Sequence, residues 1–287
     1  MYKNKRDIFM SCEATYHESN VVLFGADFDG TVSFRPGTRF GPKAIREASY
    51  GLETWSMDIK RDLEDIKVFD YADLELTFGD VLQAHKRIFN ITEKIASDHK
   101  IPFMLGGEHS CTYPAVQALC KKHPSLVIIQ LDAHADLRDD YMGVKESHAS
   151  VMKRIVDDKG FSSIFQFGIR SATQHEHKLM KENHTLHPFN LHDIQHVMNQ
   201  IKDRPIYLTV DLDVLDPSVL SATGTPEPGG ISFNQLIEAL KMIISSQIVG
   251  LDVMELSPHY DHSGVSNVVA AKVVREMLLL IGGKNEK

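Results

Sequence analysis

Two short motifs concentrate the side chains of this sequence that could do chemistry, Asp132-Ala133-His134-Ala135-Asp136 and Asp211-Leu212-Asp213. If each leaves a strand end in extended backbone, the spacing of two puts Asp132, His134 and Asp136 on one face, and likewise Asp211 and Asp213. A third motif, Gly106-Gly107-Glu108-His109-Ser110, adds an imidazole at His109. Carboxylate oxygens and imidazole nitrogens without a thiolate suit manganese or another borderline divalent cation better than a structural zinc. Charge sets the number of ions. Asp132, Asp136, Asp211 and Asp213 would repel one another strongly without metal and stay overcharged with one divalent cation, whereas two neutralise them. Two such ions about 3.5–4 Å apart can share a bridging carboxylate and a bridging hydroxide, which is a hydrolase site. Taken singly, each motif has a plainer reading. A lone DxD is usually a turn or a cap, and Asp216-Pro217 reads as a turn; a lone histidine at an apolar strand end is usually a core residue. The three motifs together, at three strand ends, point to metal.

These side chains need elements that end in one place. Short apolar runs bounded by turn residues lie at Val21 to Phe24, Ile66 to Tyr71, Ile101 to Leu105, Leu126 to Leu131, Ile164 to Gly168, Ile206 to Val210 and Ile248 to Met254. They read as buried strands of a parallel sheet. Amphipathic stretches from Phe78 to His99, Tyr113 to Lys122, Asn234 to Ser246 and Ser266 to Ile281 read as crossover helices on both faces of it. Gly41-Pro42-Lys43 opens another helix, with proline where its missing N–H costs nothing. Four of the runs end in ionisable residues: the His109 motif, the Asp132 motif, the Asp211 motif and Glu255. Ligands of open parallel sheets bind beyond the carboxyl ends of the strands, so one site can collect all four. No repeat or linker divides the chain, and the expectation is one α/β domain over residues 1–287.

Composition narrows the partners. Of 287 residues, 43% are hydrophobic and 24% charged, ordinary values for a globular protein. The best membrane-span candidate, Val268 to Ile281, is interrupted by Lys272, Arg275 and Glu276, which argues against a span. Val21 to Gly25 is too short and too late for a signal-peptide core. Cys12, Cys111 and Cys120 form no CxxC pair and read as reduced and structural, so the expected location is cytoplasmic. A net charge of −8 without a Lys/Arg block lacks the footprint of a nucleic-acid binder and suits a cationic small substrate. The histidines between His175 and His196 read as a solvated helix and loop. Arg35 to Pro42, RPGTRFGP, lacks the Gly-Lys-Ser/Thr ending of a phosphate loop.

The motifs GGEHS (Gly106 to Ser110), DAHADLR (Asp132 to Arg138), VDLDVLDPS (Val210 to Ser218), TGTPEPGG (Thr223 to Gly230) and DVMELSP (Asp252 to Pro258) resemble those of the ureohydrolases, the family of arginases and agmatinases. The resemblance runs in the family's order from RPGTRFGP to the final helix. It implies a three-layer αβα sandwich and a binuclear manganese centre that hydrolyses a guanidinium group to urea and an amine. It implies one ion on His109, Asp132, Asp136 and Asp211, and the other on His134, Asp132, Asp211 and Asp213, with Asp132 and Asp211 bridging. Asp136 would also orient the attacking hydroxide. Glu255 matches the glutamate that pairs with the guanidinium, a planar group suited to carboxylate oxygens. His148, in Lys145-Glu146-Ser147-His148, matches the histidine that shuttles protons to the departing amine. Trimers or hexamers are implied as well.

Arginases of this family carry an asparagine- and serine-bearing loop that recognises the amino-acid carboxylate. Leu137 to Ser147 reads LRDDYMGVKES instead. Asp139 and Asp140 would repel a carboxylate and attract a second cation, so the expected substrate is agmatine, cleaved to putrescine and urea. N1-aminopropylagmatine meets the same charge logic, and arginine and guanidinobutyrate remain alternatives. Ser221-Ala222-Thr223 stands where many agmatinases have Ala-Pro-Gly, and a local loop change is expected there. Two rivals are a single-zinc deacetylase-like enzyme and a non-catalytic, metal-stabilised binding protein.

Overall fold

The structure, a computed structural model, describes residues 8–283; the ends of the expected domain, residues 1–7 and 284–287, lie outside the described residues. In chain order the elements are β1 (Val21–Ala26), α1 (Gly41–Ser49), β2 (Trp55–Ser56), β3 (Arg61–Asp62), β4 (Val68–Asp73), α2 (Val81–Ser97), β5 (Ile101–Gly106), α3 (Thr112–Lys122), β6 (Val127–Leu131), α4 (Val151–Lys159), β7 (Ile164–Phe167), α5 (Gln174–Asn183), β8 (Leu186–His187), α6 (Leu191–Ile201), β9 (Ile206–Asp211), α7 (Phe233–Ile244), β10 (Ile248–Met254) and α8 (Val265–Gly282). Every apolar run read as a strand is one, with ends shifted by a residue or two. The short β2–β3 hairpin and the helices α4 and α6 have weaker sequence signals and were not separately expected.

Eight strands form one sheet in the order β4-β1-β5-β10-β9-β6-β7-β8, all neighbours parallel. Alternation along each strand divides the core in two. Val21, Leu23, Phe103, Leu105, Ile129 and Leu131 face a layer that includes Ile45 of α1, Ile194 of α6, Leu240 of α7 and Val274 of α8. Val22, Phe24, Met104 and Ile128 face Ile88 of α2, Leu119 of α3, Ile155 of α4 and Met180 of α5. The result is an αβα sandwich, with both sheet faces buried as a parallel sheet requires.

Strand order makes the site. The chain leaves β5 for β6, skips the space between them, and returns late to fill it with β9 and β10. The register pairs Val253 with Leu105, Met254 with Asp211, and Leu131 with Val210, so four central strands end almost level. This is the crevice that a change in winding direction opens at the carboxyl end of a parallel sheet.

The loop after β5 is held there by close backbone approach. Gly107 N–H donates to the Ala26 carbonyl at 2.8 Å and Glu108 N–H to the Phe28 carbonyl at 2.8 Å. A Cβ at Gly107 would stand 1.9 Å from the Phe28 oxygen, a backbone atom that cannot rotate away. Gly107→Ala is therefore expected to lower unfolding stability by about 1–3 kcal/mol and to reduce bound divalent metal by displacing His109. Denaturant unfolding and elemental analysis check this, and a variant with unchanged values would contradict the tight approach.

Candidate metal centre

Asp132 and His109 lie just beyond β6 and β5, and Asp211 is the last residue of β9. Together they bring His109 Nδ1 to 3.1 Å from Asp132 Oδ2, 3.2 Å from Asp136 Oδ2 and 3.4 Å from Asp211 Oδ2. Beside them His134 Nδ1 is 2.9 Å from Asp213 Oδ2 and 3.7 Å from Asp132 Oδ1. Two sets of donors result, His109 with Asp132 and Asp211, and Asp132 with His134 and Asp213, sharing Asp132. All six side chains expected as metal ligands thus meet in one cluster.

The cluster suits cations better than it suits itself. His109 Nδ1 is buried among three carboxylate oxygens yet hydrogen-bonds to none, and Asp213 Oδ2 is likewise buried without a hydrogen bond. Such orphaned atoms are rare unless a ligand completes them. Burial and the neighbouring Asp213 and Asp132 charges raise Asp211 well above the ordinary carboxylate range. Burial, with Asp132, pushes Asp136 up to about 7. Burial opposes protonation of His134, but Asp213 and Asp132 outweigh it and hold the ring up to about 12. These are the shifts of carboxylates crowded in a dry site without compensating positive charge.

Buried partners outside the cluster orient the donors. Thr209 Oγ1 lies 2.8 Å from His109 Nε2, which leaves Nδ1 turned to the carboxylates. Gln130 Nε2 donates to Asp132 Oδ2 at 2.6 Å, and Gln166 supports Gln130 in turn at 2.7 Å. Asp252 sits behind, accepting from Tyr207 at 2.6 Å and Thr112 at 2.7 Å. None of these was singled out from the sequence, although a signal exists. Gln130 and Thr209 each stand two residues before a ligand within an otherwise apolar strand, on the ligand's own face.

Glu255 follows β10 with left-handed backbone, φ 68°, a conformation costing of order 1–3 kcal/mol in a non-glycine residue. Its Oε1 accepts the His109 backbone N–H at 2.7 Å, so Oε2 is the oxygen left free. Burial, then Glu108 and Asp213, raise its carboxyl well above the usual range. The segment containing Thr223 packs directly on this turn: Thr223 bridges Leu256, and a Cβ on Gly224 would stand 3.3 Å from Glu255 Oε2. His148, at the start of a 3₁₀ turn before α4, is held down to about 4 by burial, with His134, His109 and Arg138 adding to the effect.

Glu255, His148 and four of the cluster, His109, His134, Asp136 and Asp211, share one cavity of about 280 Å³, also lined by Ser33, Arg138, Tyr141, Ser171, Thr173 and Glu176. Asp139 and Asp140 do not line it. Both are exposed; Asp139 pairs with Lys153 at 3.1 Å, and Asp140 accepts the Gly143 N–H at 3.1 Å. The expectation that they meet the substrate's far end is corrected by that placement. Besides Asp136, Asp211 and Glu255, the buried acid in the wall is Glu176, which caps α5 from within the histidine-rich segment. His175, His177, His184, His192 and His196 of that segment are exposed.

The sequence profile of the Arginase family matches residues 19–280. The chain is 42% identical over 276 residues to an agmatinase of Bacillus anthracis, covering 95% of each. It is 36% identical over 249 residues to the N(1)-aminopropylagmatine ureohydrolase of Thermococcus kodakarensis, covering 84% of this chain and 83% of the relative. Among solved structures, the agmatine ureohydrolase of Thermoplasma volcanium superimposes with a TM-score of 0.89 at 31% identity, over 100% of this chain and 98% of the relative.

The crowded charges give metal removal a pH signature. Asp136, at about 7 against 3.8, and His134, at about 12 against 6.5, keep protons in the folded state that the unfolded chain releases. Their stability contribution is lost as pH rises, over 3.8 to about 7 for Asp136 and over 6.5 to about 12 for His134. His85 and His148, held down to about 4, act oppositely but only below their ordinary 6.5. Metal-stripped protein should therefore melt lower at a pH of about 9 than at about 7, and added manganese should raise Tm more at the higher pH. Scanning calorimetry reads both, and a stripped protein whose Tm is flat or rises over that window would contradict the electrostatics.

Proposed function

The chain belongs to the arginase family, and from that premise we propose how its site works. It is an agmatinase-type ureohydrolase. The observation that carries the reading is Glu255 opening onto the same small cavity as His109, His134, Asp136 and Asp211, with Asp132 and Asp213 buried against the two histidines. That volume is near the lower end of small-molecule sites, roughly 300–1,000 Å³, and suits a short linear substrate. Its walls carry Asp136, Asp211, Glu176 and Glu255 against one guanidinium, Arg138, which already stacks on Tyr141. A cation is favoured there over the carboxylate of arginine.

The family is metal-dependent, and we assign two manganese ions here. Support comes from the four carboxylates, the absence of thiolate among the donors, and the orphaned His109 and Asp213 atoms. His109, Asp132, Asp136 and Asp211 would hold one ion, and His134, Asp132, Asp211 and Asp213 the other. When bound, the pair lowers the pKa of water toward neutrality and so supplies the oxygen nucleophile. Glu255 Oε2 receives the guanidinium and fixes its plane. Asp136 accepts a hydrogen from the attacking water and so aims its lone pair at the guanidinium carbon. A C–O bond forms and the C–N bond to the amine breaks. His148, neutral near pH 7 because of its burial, takes up a proton and returns it to the leaving nitrogen. Agmatine and water thus give urea and putrescine.

We further propose a single domain over residues 1–287, a cytoplasmic location, and a homotrimer or hexamer. Free Cys12, Cys111 and Cys120 agree with a reducing compartment, and exposed Phe34, Met57, Phe78 and Met142 offer apolar surface to another copy. Among the described residues no helix is long and apolar enough to cross a membrane.

Urea release with manganese, measured across agmatine, N1-aminopropylagmatine, arginine and guanidinobutyrate, tests the substrate. Agmatine should exceed arginine in kcat/KM by roughly tenfold or more, equivalent to about 1.4 kcal/mol; the reverse order would overturn the substrate reading. Glu255→Gln should keep both metals and lose roughly 10²-fold or more in kcat. Normal kinetics in that variant would remove Glu255 from the reaction.

A further inference from the structure

His148 is gripped on one side by a short polar chain that the mechanism above does not use. Thr31 Oγ1 lies 3.3 Å from His148 Nδ1 and accepts the His148 backbone N–H at 3.0 Å. On its far side the same hydroxyl donates to Glu108 Oε1 at 2.6 Å. Glu108 is fully buried; its Oε2 accepts the Thr31 backbone N–H at 2.6 Å and its Oε1 also accepts the Ser110 hydroxyl at 2.5 Å. All three contacts come from donors, as a carboxylate requires.

A hydroxyl has one proton to give. Thr31 Oγ1 lies 2.6 Å from Glu108 Oε1 but 3.3 Å from His148 Nδ1, so its one proton goes into the short contact to Glu108. Only lone pairs then face His148, and Nδ1 must bring the hydrogen to that contact. The ring's other nitrogen, Nε2, is left with its lone pair, 3.4 Å from Ser33 Oγ at the cavity wall. The opposite tautomer would set two lone pairs against each other, or would turn the Thr31 proton away from a buried carboxylate.

We propose that Thr31, anchored by Glu108, is a positioning residue that holds His148 in its Nδ1–H tautomer and so reserves Nε2 for the proton that reaches the leaving amine. This rests on the reading of His148 as proton carrier. The proton enters and leaves at Nε2, the Nδ1 hydrogen stays in place, and the ring ends as it began.

The test is a kinetic cycle on the manganese-loaded enzyme with Thr31→Ser, Thr31→Val, His148→Ala and the double variant Thr31→Val/His148→Ala, with metal content and Tm read for each. Valine keeps the shape and the backbone N–H to Glu108 but loses the hydroxyl; serine keeps the hydroxyl. Expected are a kcat loss of roughly tenfold or more in Thr31→Val with KM and metal content unchanged, near-normal kcat in Thr31→Ser, and a double variant no slower than His148→Ala alone, since Thr31 acts only through the ring. Wild-type kcat in Thr31→Val, losses that multiply in the double variant, or a kcat loss that accompanies lost metal each overturn the proposal. An active His148→Ala would instead sink the proton-carrier reading itself, so the two failures are told apart.

Discussion

Carboxylates that cannot all remain ionised together are pinned at one end of the sheet, and most of the architecture around them serves to keep them there. Asp132, Asp136, Asp211 and Asp213 converge on two histidines in a dry site. Burial disfavours the charged form and sharpens repulsion, which raises Asp136 and Asp211, while His109 and His134 outweigh burial at Asp132 and hold it below the usual carboxylate range. The energy that holds them is therefore not local. It comes from two apolar layers packed on a fully buried parallel sheet, whose level strand ends leave the side chains no route apart. Metal binding turns that stored repulsion into attraction, which links ligand affinity to fold stability.

The ligands are in turn oriented by neutral donors and acceptors rather than by further charge. Thr209 faces the nitrogen of His109 that the cluster does not need, Gln130 and Gln166 hold Asp132 from beneath, and Thr31 meets His148 with a hydroxyl whose proton is committed to Glu108. A neutral side chain can fix a tautomer or a rotamer without adding to the charge imbalance. Burial raises Glu108 to about 7 despite its three donors, which shows how little further negative charge the region tolerates.

The cavity is closed on one side by Tyr141, packed edge-on against His148, and on another by Glu176 at the start of α5. Glu176 caps its helix through Thr173 and accepts the Leu137 N–H at 3.0 Å, so one carboxylate ties the loop after Asp136 to the far wall. The same residue thus shapes the pocket and contributes to its negative field.

Much of this could be read from the chain alone. Apolar runs of strand length located seven of the eight sheet strands, because a sheet buried on both faces demands continuous hydrophobic sequence. The period of two grouped five of the six donors, the motif at a third strand end added His109, and Glu255 announced itself as an ionisable residue closing an apolar run. The reading of Asp139 and Asp140 went astray for a definite reason. Their charge suits a cationic substrate, but charge carries no direction: the backbone turns left-handed at Asp136, φ 52°, and beyond it Asp139 lies exposed and paired with Lys153 while Asp140 is exposed as well. Glu176 reaches the site from the first turn of α5 and Thr31 from the loop after β1, both distant in sequence from the ligands, and Glu108, though it adjoins His109, meets Thr31 through hydrogen bonds that leave no periodic trace. Residue type and spacing determined which groups gather at the strand ends. Only tertiary packing decided which others meet them, because those contacts depend on how separate loops lie against one another rather than on any pattern along the chain.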